Sequence, residues 1–296
     1  MSPSPTRMSK LLLGYLAGQA AAILALPFLP LNTLSHALWQ TGVGCISAIV
    51  ALAGVRHFKP PGALVWYLFS AGLFLNAFGV TIEWFDQTPA RPQVADVFWL
   101  ALYPFLIVGL ATLVYWRIAS EDKAMVVLNT AASVVSTVFL GIFAWQFLVW
   151  QAPSDRMNLA ARVVVIAYPL GDLMVIPLIL RLFMTGAARI PALALLSGSY
   201  CALLAGDLAW ASFTRSGVHP TPPQQRIIET VSMIGFALLG AAGLHPSVRE
   251  VVPKPHTETG PRRINWPALA LSVLVPPTIL LLQVLLDFVF SKLLRM

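Results

Sequence analysis

The sequence predicts an all-α membrane protein: a polytopic transmembrane bundle of about nine spans, built as two parallel four-helix repeats plus a C-terminal helix. Three observations predict it. Of 296 residues, 58% are hydrophobic and only 10% charged, and the mean hydropathy is +0.78, outside the range of soluble domains. The apolar residues fall in runs of about 20, the length that crosses a bilayer core. The pattern also recurs, because Asp96 is followed by Tyr103 and Glu229 by Phe236, each at plus seven, and the two pairs are offset by 133 residues.

Taken in order, the predicted spans are 11 to 29, 36 to 55, 62 to 85, 94 to 116, 123 to 150, 159 to 184, 189 to 212, 226 to 245 and 266 to 290. Arg7 and Lys10 precede the first, as in a signal peptide, but the run continues to Pro27 and Pro30 without a small-residue cleavage site, so it reads as a membrane helix. Gly14 and Gly18 form a Gly-x-x-x-Gly pair there, which predicts close helix packing. "FGVTIEW" closes span three and "AGDLAW" closes span seven, the corresponding helices of the two repeats. The domains are then a tail at 1–10, repeats at 11–120 and 121–248, a cytoplasmic linker at 249–265, and the ninth helix with its tail at 266–296. Functional sites between parallel repeats are expected at their interface.

The 19 Lys and Arg against 12 Asp and Glu are strung singly between apolar runs, which reads as loop charge and not as a nucleic-acid surface. An N-terminus inside places Arg7, Lys10, Arg56, Lys59, Arg117, Lys123, Arg181, Arg189, Arg249, Lys254, Arg262 and Arg263 on the cytoplasmic side, twelve of the 19. The positive-inside rule thus predicts a multi-pass cell-membrane protein with its N-terminus cytoplasmic and its C-terminus outside. Cys45 and Cys201 lie within apolar runs, and the five His are scattered without ligand spacing. No metal and no cofactor is expected.

The acids are the informative residues. Glu83 ends span three, Asp96 opens span four, Asp207 nears the end of span seven and Glu229 lies in span eight, so all four are expected at one level in the outer half of the bilayer. Asp172 sits deeper, one turn after Tyr168 in "YPLGDL". Helical spacing puts Asp96, Trp99 and Tyr103 on one face, and Tyr200 with Asp207 on another. Single Trp or Tyr residues at span ends, such as Trp84, Trp99 and Trp210, fit an interfacial belt equally well. Each buried charge costs about 2.5 to 3.5 kcal/mol on insertion scales, so five acids at matching positions point to function.

Two resemblances enter here. "ADVFWLALYP", "YPLGDL", "AGDLAW" and "GLHPS" together resemble the multi-span sensory module at the N-terminus of bacterial diguanylate cyclases, over nearly the whole chain. No Gly-Gly-Asp-Glu-Phe motif follows, and an outside C-terminus would put an output domain on the wrong side. The chain is also similar, in size, span number and embedded acids, to small integral-membrane terpene cyclases of meroterpenoid and indole-terpenoid pathways. That resemblance implies Glu83 and Asp207 as the acid pair.

Proton-initiated cyclisation needs an acid kept protonated, a dry cavity, and walls that stabilise a carbocation without attacking it. Neighbouring carboxyls in a low dielectric hold a proton, and aromatic faces attract cations by about 0.5 to 2 kcal/mol each. The expected reading is therefore a terpene cyclase acting on a lipophilic prenylated substrate drawn from the bilayer. Glu83, Asp207, Asp96 and Glu229 are its catalytic candidates. Trp84, Trp99, Tyr103, Tyr168, Asp172, Tyr200 and Trp210 are its substrate-binding candidates. A stand-alone sensory or interaction module and a proton-coupled transporter are the alternatives.

Overall fold

A computed structural model describes residues 5–31, 33–86, 92–118, 131, 135, 159–184, 189–216 and 220–252. Predicted span five (123 to 150), apart from residues 131 and 135, predicted span nine (266 to 290) and most of the linker lie outside the described residues. The described chain is helical throughout, with no strand: α1 Pro5–Ala25, α2 Leu34–Phe58, α3 Ala63–Phe85, α4 Val94–Ile118, α5 Leu159–Met184, α6 Pro191–Ser216 and α7 Pro222–Leu244. All but α5 contain segments long and apolar enough to cross a membrane. The 26-residue α5 is also of spanning length and carries Arg162, Asp172 and Arg181.

Chain chemistry sets the helix ends. Thr33 caps α2, its hydroxyl accepting from the His36 amide at 3.2 Å, and Lys59 ends that helix in the left-handed region at φ 48°. Gly62 opens α3 at φ 78°, a conformation glycine adopts without strain. Thr221 and Gln224 form a capping box on α7.

The helices form an arc in which α5 packs on α4, α4 on α3, α3 on α2, α2 on α7 and α7 on α6. Small residues let two of these meet backbone to backbone. A Cβ on Gly243 of α7 would lie 2.6 Å from the Ala51 Cα of α2, and one on Gly54 would overlap the Gly243 carbonyl. Interhelical hydrogen bonds reinforce the arc: Thr41 donates to the Ala77 carbonyl of α3 at 2.9 Å, and Ser199 of α6 to the Gly235 carbonyl of α7 at 2.7 Å. Because lipid is as apolar as leucine, close packing and bonds of this kind, not hydrophobic burial, hold such helices together.

One expectation is corrected here. Gly14 and Gly18 face open space among the described residues, so they mark no helix contact there. Instead α1 docks through Tyr15, whose hydroxyl reaches Ser47 of α2 at 2.9 Å and the Ala237 carbonyl of α7 at 3.0 Å.

At one end of the arc, three helices meet in one short segment. After α7, a 3-10 turn at Pro246–Glu250 is tied to three helix ends. Arg249 donates to the Phe58 carbonyl of α2 at 3.0 Å, and Arg117 of α4 donates to the Val251 carbonyl at 3.2 Å. The Ser247 hydroxyl accepts from the Ala192 amide at the start of α6 at 2.9 Å.

Candidate functional site

Three core-facing stripes converge near the middle of the arc's open side. On α6 the stripe runs Leu193, Leu196, Tyr200, Leu203, Asp207, alternating three and four residues. On α5 it runs Tyr168, Asp172, Val175, Ile179, Leu182, and on α4 it includes Tyr103, Leu106, Leu110 and Leu113. This spacing keeps each set on one helical face. Asp172 and Asp207 thus occupy positions that leucine fills elsewhere on the same stripes.

Their carboxyls meet at one hydroxyl. Tyr103 of α4 donates to Asp172 Oδ1 of α5 at 2.8 Å and lies 3.5 Å from Asp207 Oδ2 of α6. Leu102, Leu106, Val175, Tyr200, Leu203 and Leu204 complete, with these three, the lining of a cavity of about 20 Å³. That is room for one water-sized occupant. Tyr200 is 2% exposed, and its hydroxyl has no hydrogen-bond partner among the described residues. Neither Lys, Arg nor His lines this cavity. Two negative charges sharing one hydroxyl repel strongly in a medium that screens poorly, so a proton or another cation offsets them.

A third acid lies toward the start of α4. Asp96, 1% exposed, caps the first turn of α4 by accepting from the Gln93 amide at 2.8 Å. Its other oxygen accepts from the Tyr168 hydroxyl of α5 at 2.8 Å. The Tyr168 and Tyr103 rings stand edge to face, 6.5 Å apart. A fourth acid, Glu229 of α7, lies 3.2 Å from His36 Nε2 of α2 and accepts from Gln225 at 2.9 Å. Gln40 is 3.3 Å from the same imidazole nitrogen.

The structure therefore regroups the predicted residues. Asp207 joins Asp172 and Tyr103, with Tyr200 in the same lining, while Asp96 joins Tyr168 and Glu229 joins His36. Glu83 and Asp207 are not brought together: Glu83 is exposed near the end of α3 and takes no part in the cavity lining. The acids do not share one level either, since Tyr103, the partner of Asp207, lies seven residues along α4 from Asp96, a rise of about 10 Å. Trp99 packs against Gly79 of α3, Trp84 against Phe85 at 4.9 Å, and Trp210 is 38% exposed. None of these three lines the cavity. Sequence reasoning missed His36, Gln40 and Gln225 around Glu229; the only available signal was the spacing of four between His36 and Gln40 and between Gln225 and Glu229. No group of three or more His, Cys, Asp or Glu able to hold a metal occurs among the described residues.

No protein-family model, curated protein or solved structure matches this chain.

Proposed function

We propose that the chain is a membrane-embedded sensory or interaction module whose signal is the occupancy of the Asp172–Tyr103–Asp207 junction by a proton. The observation that carries this reading is the convergence of two carboxyls from two helices on one hydroxyl of a third, around a cavity of about 20 Å³. A proton on the pair removes a repulsion between α5 and α6 and supplies a hydrogen bond. Its loss restores the repulsion, and the helices respond. Protonation thus biases an element with two arrangements, as a switch requires.

The size of the cavity favours this over cyclisation, because ligand clefts are largely pre-formed and hold about 300 Å³ or more. One observation does favour a terpene cyclase as a second reading. Apart from the acids the lining is wholly aliphatic and phenolic, the surroundings a carbocation tolerates. Under that reading Asp172 and Asp207, not Glu83, supply and receive the proton for a prenylated substrate entering from the bilayer.

The same proposal includes nine spans, an inside N-terminus and two parallel repeats. Reciprocal contacts support the repeats: α4 packs on α5 as α7 packs on α2, and α3 meets α4 as α6 meets α7. Asp96 reaches Tyr168 as Glu229 reaches His36.

Infrared difference spectroscopy on the protein in lipid nanodiscs tests the reading. A protonated-carboxyl band that grows as pH falls and disappears in Asp172→Asn and Asp207→Asn is expected. A band unaffected by both substitutions, or no titrating buried carboxyl, would reject it. Membranes incubated with prenylated aromatics and their epoxides test the second reading. An isomeric product of unchanged mass, lost in both carboxamide variants, would shift the conclusion to the cyclase.

A further inference from the structure

We propose that His36 and Glu229 form a second proton-binding site, which latches the N-terminal turns of α2 and α7 together and holds the corner between α1 and α2. The site is separate from the junction and does not rest on the reading given to it.

The contact is direct. His36 Nε2 of α2 lies 3.2 Å from Glu229 Oε2 of α7, with His36 4% and Glu229 8% exposed. Gln225, one turn earlier on α7, donates to Glu229 Oε1 at 2.9 Å. Gln40, one turn later on α2, lies 3.3 Å from the same imidazole nitrogen, and its amide offers either an oxygen or an N–H. A carboxylate oxygen and a bare imidazole nitrogen are both acceptors, so this approach needs a proton between them. With that proton on Nε2 and the carboxyl ionised, the buried pair carries one negative charge. A second proton, taken from solution onto Nδ1, makes the imidazole a cation and the contact an ion pair of zero net charge. Imidazole is the side chain that changes charge in this way between mildly acidic and mildly alkaline pH.

The other charged groups at this end of the bundle come from α7, α3 and the corner's neighbours. Arg226, three residues before Glu229, gives its guanidinium to the carbonyls of Leu26, Pro27 and Leu29 in the corner. Asp86, at the end of α3, accepts from the Val94 amide at 2.8 Å, and Glu83 is exposed. The described residues of the corner, 26–31 and 33, include no charged side chain. α1 carries its charged residues, Arg7 and Lys10, at its opposite end.

Packing decides what the second proton changes. Further along the pair, α2 and α7 touch backbone to backbone: a Cβ on Gly240 would lie 3.0 Å from the Ser47 carbonyl oxygen, and one on Gly243 2.6 Å from the Ala51 Cα. That stretch holds the helices together whatever the charge on His36. The N-terminal turns meet at His36 and Glu229 through side chains, and there an unbalanced buried charge draws in water where an ion pair does not. Loss of the second proton therefore loosens these turns and, through Arg226, the corner, while the rest of the α2–α7 contact stays in place. Its return draws them shut.

Two measurements on full-length protein in lipid nanodiscs test the latch. Nitrogen-15 spectra of histidine-labelled protein, with His36→Gln assigning the signal, should show one protonated ring nitrogen, Nε2, in mildly alkaline buffer and both in mildly acidic buffer. Spin labels on Leu38→Cys and Ile227→Cys, both exposed near the pair, in a Cys45→Ala, Cys201→Ala background, should approach on acidification by on the order of 1 to 2 Å, the size of helix shifts in switching proteins. Labels on Ile49→Cys and Ile234→Cys, exposed further along the same helices, should not shift. The Leu38–Ile227 response should disappear in Glu229→Gln and survive Asp172→Asn with Asp207→Asn. A His36 ring protonated on Nδ1 alone, or unchanged between the two buffers, would overturn the proposal even if Glu229→Gln does not fold. So would a fixed Leu38–Ile227 separation, a response that persists in Glu229→Gln, or one that vanishes with the junction acids.

Discussion

At the scale of single residues, the Tyr103 hydroxyl holds the junction because it is the group through which α4, α5 and α6 meet at their acids. Tyr103→Phe keeps the ring and removes the bond to Asp172 together with the 3.5 Å approach to Asp207. The expected cost is about 1 to 3 kcal/mol, read as a lower midpoint in thermal unfolding in detergent. Asp172→Asn in the Tyr103→Phe background should recover part of it by removing one of the charges. His245, just past the last residue of α7, offers a second test. Its Nδ1 accepts from the Ser247 amide at 3.1 Å and lies 2.8 Å from the Ser247 hydroxyl, which in turn caps α6. Burial pushes the imidazole below its ordinary value, against an opposing pull from Glu250. The unfolded chain therefore binds this proton more readily than the folded one. Its contribution to stability is complete above the ordinary histidine value of about 6.5 and is lost as pH falls through the lower folded value. The midpoint of the wild type should drop across that window more steeply than that of His245→Ala. The residue types at the site were legible in the sequence, but their grouping was not. The position of Glu83 beside Trp84 looked equivalent to that of Asp207 beside Trp210. Which acid turns inward depends on helix rotation, and only a full stripe such as Leu193, Leu196, Tyr200, Leu203, Asp207 fixes it.

At the scale of helices, the seven described helices lie close to predicted spans, and six of them are long and apolar enough to cross a bilayer, since runs of this length and apolarity are read directly from sequence. Contacts between them were less legible. Gly14 and Gly18 match a packing motif yet meet nothing among the described residues, whereas Gly54 and Gly243, far apart in sequence, bring two helix backbones together. A small-residue motif says that two backbones can approach, and the partner helix decides whether they do. Gly243→Val places a branched side chain where a Cβ already lies 2.6 Å from Ala51 Cα. It should separate α2 from α7 and cost about 1 to 3 kcal/mol or more, seen as a large fall in folded protein recovered from membranes. Gly14→Val meets open space among the described residues and should leave that yield unchanged.

At the scale of the whole molecule, α4 and α6 are bridged twice. Tyr103 and Asp207 approach at the junction, and Arg117 and Ala192 both bond to the segment from Ser247 to Val251. Under the proposed reading, these two bridges carry a change at the acids to the other end of the bundle, the end that the charge count assigns to the cytoplasm. A reporter fused after Val252 should be active in the cytoplasm, and one inserted between α6 and α7 only outside; the reverse pattern would invert the proposed orientation. The most direct test of the central claim is a distance. Spin labels on native Cys201, exposed on α6, and on Val108→Cys, exposed on α4, in a Cys45→Ala background, report the separation of the two helices by pulsed electron paramagnetic resonance. The separation should shift between mildly acidic and mildly alkaline buffer in protein with the native acids, and stay fixed when Asp172→Asn and Asp207→Asn are both present. A separation that ignores pH with the acids intact, or a shift that survives their loss, would contradict the account.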